Sequence, residues 1–148
     1  MEFTTQNGNK NVKIEPSTFQ NTVNLKKAVV KCLLDAGVLK DINTGSITDT
    51  ANLLNKFSEI LLTAETSTDF ENTVFECLQT CIYDDKHKIN KQLFDYIPEA
   101  REDYYEIVSK CVEVNLRPFF KSLVSELKTR FQTLNLTIPE QKSLQNTR

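Results

Sequence analysis

A proline stands at position 118 inside KCVEVNLRPFFKSLVSEL, a stretch whose pattern is helical on both sides of it. Proline has no backbone N–H and its ring clashes with the turn before it, so an uninterrupted helix does not hold one in its interior. Before it, Tyr104, Ile107, Val108, Cys111 and Val112 form one apolar stripe; after it, Phe119, Phe120, Leu123, Leu127, Phe131 and Leu134 form another. At roughly 100° per residue the second stripe is rotated about 130° from the first, and a straight helix cannot aim both at one core. The spacing predicts a break at residues 115–117, with Arg117 pushed off helical dihedrals and Asn115 capping a backbone group freed there.

Three more helical periods precede that pair. Pro16-Ser17 opens a helix running to about Ala36, with Gly37 in the C′ position. Only Gln20, Asn24, Lys27, Lys31 and Asp35 form a clear polar strip on it, so its wide apolar arc needs more than one packing partner, inside the chain or across a subunit boundary. After the loop LKDINTGSITD, a second helix from about Asp49 to Ala64 carries Leu53, Leu54, Phe57, Ile60 and Leu61. A third starts near Ser67, with Thr68 and Glu71 spaced as a capping box, and carries Phe70, Val74, Cys77, Leu78 and Cys81 until YDDKHK ends the pattern. A short turn around KQLFDY follows, and Pro98 fits the first position of the next helix.

The N-terminus is the one clear β signal. Asn7-Gly8 reads as the central pair of a type I′ turn, which sets Phe3 opposite Val12 and Met1 opposite Ile14 on one face, and Glu2 opposite Lys13 on the other. An isolated hairpin is marginal in water, so its apolar face must cover a helix or its edge must accept a partner's strand. The fold class expected is mainly α: a compact helical domain of about five helices over residues 1–136 with a hairpin in 1–15, then a mobile tail over 137–148.

Chemistry finds little support. A net charge of −2 gives no field to attract nucleic acid or an anionic membrane, and the longest apolar runs are too short to span a bilayer. The polar start MEFTTQNGNK lacks the layout of a signal peptide, which places the chain in the cytosol. Three glycines disfavour a phosphate-cradling loop, and no serine, cysteine or histidine sits in a nucleophile motif, so neither an enzyme nor a cofactor is expected. Cys32, Cys77, Cys81 and Cys111 fall on apolar stripes as reduced core thiols; the alternative is a zinc site of Cys77, Cys81, Cys111 and His87, whose spacing matches no familiar pattern. Lone His87, amid charges, reads as a solvated loop residue.

The hairpin, the stretch VKIEPSTFQNTVNLKKAV, the segment CLQTCIY and the block DYYEIVSKCVEVNLRPFFKSL, in that order, resemble the small tail assembly chaperones of long-tailed bacteriophages. The resemblance spans most of residues 10 to 125. It implies a helical protein of the host bacterial cytoplasm that multimerises around the tape measure protein and hands it to the polymerising tail tube protein. It brings no catalytic residues. A phage or mobile-element inhibitor of a host protein and a minor structural virion component are the alternatives.

Self-association and client binding would fall on the broad arc of the first helix, at Phe19, Val23 and Val30, and on the hairpin, at Phe3, Val12 and Ile14. On that reading, Asp at Val23 and Val30 leaves a folded but smaller species.

Overall fold

The computed structural model describes residues 1–38, 40, 45, 49–63 and 67–137. In chain order come strands β1 (Glu2–Thr4) and β2 (Asn11–Lys13), then helices α1 (Phe19–Asp35), α2 (Thr50–Thr63) and α3 (Thr68–Cys77). Strands β3 (Ile82–Tyr83) and β4 (His87–Lys88) follow, then a single turn, α4 (Leu93–Tyr96), and a 3₁₀ turn over Pro98–Asp103. Helix α5 (Tyr104–Leu116), a second 3₁₀ turn (Arg117–Phe119) and α6 (Phe120–Thr137) complete the order. The fold is mainly helical, as expected, with five helices of ten residues or more among the described residues. The segments read as the 39–49 loop and the 137–148 tail lie largely outside the described residues.

The helix is interrupted at Arg117–Phe119, overlapping the expected 115–117 only at Arg117, and by a different local route. Leu116, at φ −97° and ψ −6°, sits at the edge of the helical region, whereas Arg117 keeps helical dihedrals at φ −49° and ψ −45°. The backbone stays bonded across the junction: the Arg117 N–H donates to the Glu113 carbonyl as the last α-helical bond, and the Phe120 N–H to the Arg117 carbonyl closes the 3₁₀ turn. Asn115 is therefore not needed as a cap at the break. Its Nδ2 donates to the Cys111 carbonyl at 2.8 Å, and its Oδ1 accepts the Ser17 N–H at 2.8 Å, tying α5 to the segment that leads into α1.

Both stripes end up buried, Ile107, Val108, Cys111 and Val112 on α5 and Phe120, Leu123 and Leu127 on α6. Side chains of this size contribute roughly 1.5–3 kcal/mol each when fully buried. They share α2 as a neighbour, and α5 packs in addition against α1 and α3. The side chains of Phe131 and Leu134, assigned to the second stripe, lie outside the described ones.

Caps explain the other boundaries. Thr18 accepts the Asn21 N–H at the start of α1, and Gly37 at φ 78° takes the left-handed position after its end. Asp49 accepts the Asn52 N–H at 2.9 Å before α2. At α3 the cap is Ser67, accepting the Phe70 N–H at 3.1 Å, so the Thr68–Glu71 box is set one residue too far along the chain. Pro98 starts a 3₁₀ turn, and the α-helix begins at Tyr104.

The hairpin register holds, with Glu2, Phe3 and Thr4 opposite Lys13, Val12 and Asn11. The turn is not type I′. Thr5 and Lys10 close a four-residue loop, the Asn9 N–H donates to the Thr5 carbonyl at 3.1 Å, and Asn9 at φ 53° carries the left-handed conformation while Gly8 does not. A second hairpin, in the segment taken for a loop, extends the sheet to the order β1-β2-β3-β4. Its turn uses Asp84 and Asp85 at φ 53° and 62°; aspartate tolerates that region better than most residues. The β2 edge is thus filled by β3 from the same chain, not by a partner.

Candidate interaction surface

The loop of the first hairpin is clasped to the entry of α5. Asp103, 0% exposed, accepts the Gly8 N–H at 2.9 Å and the Tyr83 hydroxyl at 2.7 Å. A Cβ on Gly8 would overlap that carboxyl group, so the glycine is required for close approach. The Gln6 N–H donates to Glu106 Oε2 and Asn7 Nδ2 to the Glu102 carbonyl, each at 3.0 Å. Burial, reinforced by the bond to Asp103, pushes the Tyr83 hydroxyl far above the usual tyrosine range, which keeps it a donor.

This clasp decides the hairpin's role. Val12 and Ile14 are 0% exposed, and Phe3 is half-buried with Lys110 Nζ 5.8 Å from its ring centre. Val12 and Ile14 thus pack inside the chain instead of facing a partner, because the sheet lies apolar side down on the helices. On α1 the three candidates separate. Phe19 is 73% exposed, Val23 is half-buried, and Val30, at 5%, floors a groove between α1 and α6. An aspartate at Val30 would therefore cost folding before it cost association, which removes it from any test of assembly.

A separate aromatic ledge is built from α3, α4 and α5. Phe94 meets Phe75 and Tyr104 with ring centres 6.2 and 5.4 Å apart, and Tyr105, 47% exposed, lies 5.1 Å from Tyr104. Lys91 Nζ sits 5.7 Å from the Phe75 ring centre and donates to Asn72 at 2.9 Å. Beyond the ledge Tyr96 is 80% exposed. The signal was present in Tyr96 and Tyr105, aromatics off the helical stripe where no core demands them.

Cys77, Cys81 and Cys111 are buried and Cys32 is half-buried. The hydrogen bond with Cys77 and burial push the Cys111 thiol up, and burial does the same to Cys81 and Cys32. Among the described residues no group of three His, Cys, Asp or Glu is placed to hold a metal ion. Chelator treatment should leave helicity and melting temperature unchanged; a loss of fold with release of zinc would assign the thiols a ligand role. Native alkylation should label Cys32 first, with the other three reacting only on unfolding.

No helix among the described residues is long and apolar enough to cross a membrane. The model for the phage tail assembly chaperone protein family (TAC) matches residues 18–128, three quarters of the chain and every helix from α1 into α6. The chain belongs to the phage tail assembly chaperones. No curated protein and no solved structure matches it. In this chaperone the matched region contains Phe19, Val23, Val30 and the aromatic ledge, while the first hairpin precedes it.

Proposed function

We propose that this chaperone multimerises and binds the tape measure protein during tail tube assembly, in the host bacterial cytoplasm and without catalysis. Family membership over residues 18–128 carries the reading. The exposed Phe19, flanked on its helix face by Val23, supplies an apolar contact that the chain's own core leaves uncovered. Phe3 adjoins the sheet edge, and Val12, its cross-strand neighbour, holds it in place from the core side. A long helical client presents apolar stripes of its own, and docking them on such contacts keeps them from aggregating until the tube protein arrives. Co-expression tests this. The tape measure protein should stay in the soluble fraction with the chaperone and sediment without it; insolubility in both cases would refute client binding.

A further inference from the structure

We propose that the groove between α1 and α6 receives the acidic elbow over residues 95–102 of a second copy of the chain, in a head-to-tail contact. The inference rests on the self-association half of the reading above. The groove holds about 240 Å³, has Val30 and Leu34 as its apolar floor, and is rimmed by Lys27, Lys31 and Arg130. Glu126 in its wall is already engaged, 3.2 Å from both Lys26 and Arg130. Partial burial pushes its carboxyl up, but the two cations overcome this and hold it below the usual range. Lys27 and Lys31 are exposed and have no ion-pair partner among the described residues. Asp35 at the groove offsets only one of them, so the rim keeps an excess of positive charge.

The elbow between α4 and α5 has the complementary character. Tyr96 is 80% exposed, more than the other exposed large hydrophobics of the described residues, and Asp95, Glu99 and Glu102 surround it in sequence. Arg101 turns back on its own chain, 3.8 Å from Asp95 and donating to the Phe94 carbonyl at 2.8 Å. Glu99 and Glu102 therefore have no cation among the described residues. A tyrosine ring over the Val30–Leu34 floor would lose water from both apolar surfaces, while Glu99 and Glu102 meet the ammonium groups of Lys27 and Lys31. Groove and elbow are different patches of one chain, so the contact is heterologous and repeats into a ring or a filament.

Light scattering on the full chain tests the contact. Wild type should assemble, and K27E/K31E and E99K/E102K should each fall to the mass of one chain with an unchanged circular dichroism spectrum, since all four residues are exposed. Mixing the two variants, or combining all four reversals in one chain, should restore assembly, because each swapped patch then faces its opposite. If wild type and both reversed variants assemble alike, the contact is overturned and self-association stands. If wild type is a monomer at every concentration, the contact and the self-association reading both fall.

Discussion

Asp103→Ala should lower the stability of the chain by about 2–4 kcal/mol, because it orphans the buried Tyr83 hydroxyl and the part-buried Gly8 N–H, and a buried donor left unpaired costs about 1–3 kcal/mol. The donors are the Gly8 N–H and the Tyr83 hydroxyl, which approach the carboxyl from two different hairpins. Neither has a second acceptor among the described residues, and Tyr83 is 1% exposed, so water does not replace the lost oxygen cheaply. Asp103→Asn keeps the shape and one acceptor, enough for one of the two donors, and its amide can donate to the tyrosine oxygen; it should cost about 1–2 kcal/mol, less than the alanine. Urea titration of both variants decides the matter. Equal midpoints for wild type and Asp103→Ala would show that the clasp does not hold the sheet on the helices.

Asn115→Leu is the second large effect, with an expected loss of about 1–3 kcal/mol. Leucine matches the volume and suits the surrounding apolar stripe, so a scale of hydrophobicity alone would forecast a gain. The geometry forecasts the opposite. Asn115 is 3% exposed, and its Oδ1 accepts the Ser17 N–H at 2.8 Å and lies 3.5 Å from the Thr22 hydroxyl. Thr22 has another acceptor in the Thr18 carbonyl at 2.9 Å, so the backbone donor of Ser17 bears the penalty. Thr22→Val should accordingly be much milder than Asn115→Leu, and a thermal melt in which Asn115→Leu rises would contradict the assignment.

The helical frame was legible because its signals are local: apolar spacing within one helix, Gly37 after α1, and a proline that forbids continuity. The hairpin register was legible for the same reason, since pairing Phe3 with Val12 follows from residue numbers that a two-residue and a four-residue loop share. What was hidden depends on residues distant in sequence. Gly8 looked like a turn glycine, and only Asp103, 95 positions away, gives it its actual reason. YDDKHK read only as the end of a helical pattern because a two-residue strand has too little alternation to read, and the pairing partner of β3 is β2. The candidate contacts divide along the same line. Phe19 could be read as exposed or buried from its own helix, and the packing of α1 on α3 and α5 leaves it out. Val12, Ile14 and Val30 lay on the same apolar faces, but those faces close on the chain's own core.

Co-purification of the tape measure protein with wild-type chaperone and with Phe19→Asp tests the central claim most directly. Phe19 is 73% exposed, so the substitution should leave the melting temperature within the range of ordinary surface changes, roughly ±0.5 kcal/mol in stability. The account predicts that tagged wild type retains the tape measure protein and that folded Phe19→Asp retains at least tenfold less. Equal recovery by the two proteins would contradict the contact assigned to Phe19, and no recovery by wild type would contradict client binding itself.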